Sequence, residues 1–105
     1  MTLLSPFKRI VMKTTRTINP SDIRLIYFGT KDALENNEAK EVRKSKLRNA
    51  VSQPKSEEML INILMKLPNG ETVETQSSLI DCRDEFVVLK GGHTVPVTAI
   101  VDIVG

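Results

Sequence analysis

The sequence predicts an α+β domain: an N-terminal strand with one or two helices, followed by a small five-stranded antiparallel β-barrel. Two observations carry this. Over residues 59–104 short apolar runs are separated by turn chemistry at Pro68-Asn69-Gly70, Asp81-Cys82-Arg83-Asp84 and Gly91-Gly92, the spacing of a meander of short strands. Over residues 32–51 good helix formers run without a proline or glycine. The chain has 105 residues, 40% of them hydrophobic and 27% charged. That suits one compact domain, with a basic strand-plus-helix segment over 1–55 and an acidic barrel over 56–105. With no tryptophan, one tyrosine and three phenylalanines, the core must be aliphatic.

Residues 7–18 are dense in β-branched side chains (Ile10, Val11, Thr14, Thr15, Thr17, Ile18) and read as a strand. Asn19-Pro20-Ser21-Asp22 fits a helix start, with Asn19 as cap, Pro20 at the first helical position and Asp22 offsetting the dipole. A helix after Pro20 places Ile23, Ile26, Tyr27 and Leu34 on one face but Leu25 and Phe28 on the other. The alternative is a strand over 23–28 ending at Gly29. Over 32–51, Ala39, Val42, Leu47, Ala50 and Val51 cover one half of the helix, acids come early and bases late, and Asn36-Asn37 is the one place where it could break. Residues 52–58 are polar, contain Pro54 and form the natural linker.

In the second half, Ile61, Ile63, Met65 and Leu67 alternate along one strand face, and Asn69-Gly70 closes a hairpin. A polar, more exposed strand returns over 71–80. Residues 85–90 form the next strand, Gly91-Gly92 turns it, and Pro96 belongs at an edge or strand end because proline cannot donate to a ladder. Thr98-Ala99 makes a short turn before Ile100, Val101, Ile103 and Val104 close the sheet.

A long strand, an Asn-Gly hairpin, a return strand, a glycine-turned hairpin, a short turn and a closing strand follow the order of an SH3-like or Sm-like barrel. Within that group EFVVLKGGHTVPVTAIVDIVG resembles the C-terminal part of YolD-like bacterial proteins, the likeness covering residues 58–104. It implies a helical segment ahead of an Sm-like barrel, often encoded beside translesion polymerases. That family usually carries a tryptophan near its N-terminus, which this chain lacks, and no functional residue transfers.

Few enzymatic chemistries fit. Cys82 and His93 are the sole thiol and imidazole, without the paired spacings of a zinc site. As a nucleophile pair they would need to meet beside Asp81, Asp84 or Asp102, and both read as structural residues. Gly91-Gly92 and Gly29-Thr30-Lys31-Asp32 lack the rest of a phosphate-loop pattern. Asp81, Asp84 and Glu85 read as a solvated turn and not as a cation site. No cofactor, metal or catalytic residue is therefore expected. With no spanning run and no secretory apolar region in the first residues, the expected setting is the cytoplasm.

Charge is the strongest signal. Residues 1–55 carry twelve Lys/Arg against five Asp/Glu, or +7, and residues 56–105 carry three against eight, or −5. Opposite halves suggest a non-enzymatic interaction module that self-associates or binds another protein. The alternative is a nucleic-acid-binding regulator that contacts DNA or RNA through Lys8, Arg9, Lys13 and Arg16 on the first strand and Lys40, Arg43, Lys44, Lys46 and Arg48 on the helix. The helix bases are expected to point around the whole cylinder, as on a solvated face. An acidic barrel is a poor reader of nucleic acid.

Overall fold

The computed structural model describes residues 15–105. The first strand is therefore seen as β1 (Thr15–Thr17), and its earlier part, with Lys8, Arg9 and Lys13, lies outside the described residues. After Asn19 the chain makes a 3₁₀ turn over Pro20–Leu25 and becomes extended at Ile26 (φ −103°, ψ 134°). The helix expected after Pro20 thus stops at a turn. Only Ile23 in this turn is buried, so tertiary contacts hold down no helical face, and the Asn19 side chain caps nothing.

Helix α1 (Asn37–Ser52) starts later than the composition suggests. Asn36 is its cap and does not break it: its side-chain oxygen accepts from the amides of Glu38 at 2.6 Å and Ala39 at 3.2 Å. Burial also departs from the expected apolar face. Leu47 and the whole Arg43 side chain are buried, while Val42 points outward at 53% exposure.

The strands fall into two sheets and not one closed five-stranded barrel. They are β2 (Ile61–Lys66), β3 (Thr72–Ser77), β4 (Leu79–Cys82), β5 (Phe86–Leu89), β6 (Thr94–Pro96) and β7 (Ile100–Val104), with a 3₁₀ turn over Val97–Ala99 before the last. One sheet has the order β1-β3-β2-β7 and the other β4-β5-β6. β1 joins β3 in parallel, and every other pairing is antiparallel. Only Ser78 separates β3 from β4, so one bent strand serves both sheets. No ladder joins β4 to β7. Helix α1 packs against both instead, spanning the gap that hydrogen bonding leaves.

The β2–β3 turn runs as expected: Gly70 has φ +90°, its amide donates to the Leu67 carbonyl, and the Leu67 amide donates to Glu71. The return strand is not the exposed one its polarity suggests. Val73, Thr75, Ser77, Ser78 and Leu79 are all buried. The cost of burying Thr75 is met because its hydroxyl donates to the Ile18 carbonyl at 2.9 Å. Pro96 ends β6, as expected. Ile63, Met65, Val73, Val87, Leu89, Val95 and Ile100 fill an aliphatic core between the sheets, and Leu47 closes it from α1. Among the described residues no helix is long and apolar enough to cross a membrane.

Leu47, 1% exposed, is the helix's main core anchor. Leu47→Ala is expected to cost about 2–5 kcal/mol, from lost transfer energy and the cavity left behind, as read by urea unfolding. Val42→Ala on the outer face should cost well under about 1 kcal/mol.

Candidate anion-binding cleft

The bases named by sequence separate into two groups once their partners are seen. Arg16 pairs with Glu71, its Nε donating at 2.7 Å and its second nitrogen at 3.2 Å. This fork holds the Glu71 carboxyl below its ordinary range, but both groups are exposed and the pair adds little stability. Lys46 donates to Asp102 on β7 at 2.7 Å. Arg43 is buried. Its terminal nitrogens donate to the two Asp32 carboxylate oxygens at 2.8 and 2.9 Å and to the Ile100 carbonyl at 3.1 Å. Its Nε has no partner among the described residues.

Lys40, Lys44 and Arg48 form the second group. None makes a hydrogen bond or ion pair among the described residues. Spaced four apart, they lie within about 80° of one another around the helix. Three of the five helix bases thus share one strip, and Arg43 and Lys46, off that strip, are the two with partners among the described residues.

The strip forms one wall of a cleft of about 350 Å³ between α1 and the turn after β4, where Cys82, Arg83 and Asp84 form the other. Arg83 is held by Asp81, its Nε donating at 2.7 Å. Glu41 and Asp84 also border the cleft, so it is mixed in charge with cations in excess. In the sequence Arg83 shows no more than a place in the turn Asp81-Cys82-Arg83-Asp84. Its approach to α1 depends on the docking of helix against sheet, which no local pattern encodes.

Cys82 is half-buried beside this cleft, and partial desolvation pushes its thiol above the ordinary value, against the pull of Arg48. A raised thiol is the reverse of an activated nucleophile. His93 is far from it in the fold. Cys82 pairs with Val87 and Val87 with Val95, whereas His93 bonds across to Leu89 at the other end of the sheet and two strands away. Asp81, Asp84 and Glu85 do not gather into a metal site, and no group of three His, Cys, Asp or Glu does so among the described residues.

No family model matches the chain, and neither a curated protein nor a solved structure matches it.

The Arg43 hydrogen bond is the main cause holding the Asp32 carboxyl below its ordinary range, against desolvation. A depressed folded-state value means the pair stabilises the protein above the unfolded carboxyl's titration and is lost as pH falls through the lower, folded value. Stability should therefore decline below about pH 4, and Asp32→Ala should flatten that decline. At neutral pH Asp32→Ala should cost about 3 kcal/mol, because it strands a buried guanidinium. Arg43→Met should cost less, since it leaves a carboxylate that water can reach. Urea unfolding across pH measures both.

Proposed function

We propose that this chain is a small non-enzymatic interaction module, with the strand order of an SH3/Sm-like barrel left open at one side and covered there by a basic helix, that binds the phosphate backbone of nucleic acid along Lys40, Lys44 and Arg48. The observation that carries this is the unpaired strip. Three cations lie on one helix face without an acidic neighbour in bonding range among the described residues, while Arg16, Arg43 and Lys46 are each neutralised within the chain. Unpaired, aligned bases are the arrangement that releases counterions from a phosphate backbone.

The barrel half of the reading draws on strand order. β7-β2-β3 and β4-β5-β6, joined by one bent strand and with a 3₁₀ turn before the closing strand, follow the SH3-like plan. The likeness of residues 58–104 to YolD-like proteins belongs to this half and gives no role to the helix. Self-association has less to draw on than the opposite charges of the two halves suggest. Arg16–Glu71 and Lys46–Asp102 bring basic front and acidic back together inside one chain.

Binding to a labelled oligonucleotide should weaken with salt, and Lys44→Glu with Arg48→Glu should abolish it at moderate ionic strength. Single replacement by Gln should lower the slope of log Kd against log salt by about 0.7–0.9. Lys90→Glu, a single charge reversal at the β5–β6 turn, should have little effect. Binding insensitive to the helix pair but lost with Lys90→Glu would contradict the assignment.

A further inference from the structure

Nucleic acid can be gripped as a duplex, through its backbone, or as a single strand whose bases are free to stack. The surface beside the α1 strip distinguishes the two. A second cleft, of about 490 Å³, lies between residues 27–35 and the β2–β3 turn. Tyr27 stands at its rim, 76% exposed, and its hydroxyl makes no hydrogen bond among the described residues. Pro68 faces it across Gly29. A Cβ added at Gly29 would lie 3.0 Å from Pro68 Cγ and 3.9 Å from Tyr27 Cε2, so a bare backbone keeps the floor between the two rings open. Lys31 and Lys66 border the same cleft, both exposed and without ion pairs among the described residues.

Two features tie this cleft to the basic strip. Asp32 lines the second cleft and Arg43 the first, and the hydrogen bonds between them form a shared wall. That same contact neutralises a carboxylate that would repel a strand passing from one cleft to the other, leaving Glu35 at the margin of the second cleft and Glu41 and Asp84 at that of the first. Lys40 lies close enough to act on the Asp32 carboxyl. A path of cations thus runs from Lys31 past Lys40 to Lys44 and Arg48, with an aromatic ring at its start.

We propose that the nucleic acid is single-stranded, with one base stacked on Tyr27 against Pro68 and the following phosphates on Lys40, Lys44 and Arg48. An exposed aromatic ring beside a basic track is how proteins hold unpaired bases without reading sequence, and a duplex keeps those base faces covered. The inference rests on the proposed backbone binding and adds the class of strand to it.

Tyr27 is the only tyrosine and the chain has no tryptophan, so its emission reports on this position alone. The full chain is titrated with a short dT oligonucleotide and with a duplex of the same length, following anisotropy of the labelled nucleic acid and tyrosine emission. Tighter binding of the single strand, quenching of Tyr27, and an affinity loss of roughly tenfold in Tyr27→Ala but not Tyr27→Phe support the site. Equal binding of both forms with unchanged emission overturns the stacking inference and leaves backbone binding intact. Failure of both forms to bind at low salt overturns backbone binding as well.

Discussion

The buried guanidinium of Arg43 organises this structure. A charge that is 6% exposed must be met by partners, and two of them come from different parts of the chain: Asp32 before the helix and the Ile100 carbonyl at the start of β7. Those bonds fix α1 at the open side between β4 and β7 and pull the 27–35 segment against the helix. With Leu47 sealing the core beneath it, the helix substitutes for the ladder that would otherwise close the strands. The orphaned Nε shows that this fit is imperfect among the described residues, which is the usual consequence of burying a five-donor group in a small domain.

Once α1 is so placed, its surface charges sort by geometry. Lys46 meets Asp102, Arg43 is internal, and Lys40, Lys44 and Arg48 face the cleft with no hydrogen-bond or ion-pair partner among the described residues. The basic excess of the front half therefore does not spread evenly over the molecule. Among the described residues Arg16, Arg43 and Lys46 are consumed in ion pairs that hold parts of the chain together, and Lys40, Lys44 and Arg48 line one strip of α1. Cys82, at the wall of the same cleft, contributes shape and a partly buried thiol and no activated nucleophile.

Turn and strand positions were legible in the sequence wherever local chemistry decides them. Asn69-Gly70, Gly91-Gly92 and the alternation through Ile61, Ile63 and Met65 all fold as their residues dictate. Misread elements were those settled by distant contacts. The polar strand around Thr75 is buried because Ile18, 57 residues away, accepts its hydroxyl. The helix lost its first turns because Asp32 bonds Arg43 and the Leu34 amide while Asn36 takes the cap. The same holds for the site. The spacing of Lys40, Lys44 and Arg48 was present in the sequence, but the pairings that set them apart, Arg16 with Glu71 and Lys46 with Asp102, span 55 and 56 residues. Tyr27 carried no signal beyond its type, since its exposure follows from the 3₁₀ turn that replaces a helix.

The sharpest measurement is a backbone amide shift map of the full chain during titration with single-stranded dT. Shifts concentrated in residues 27–31 and 40–48, with the β5–β6 hairpin unmoved, are the expected result. Shifts confined to that hairpin, or spread without preference over the surface, would contradict a site built by Arg43 and the helix it anchors.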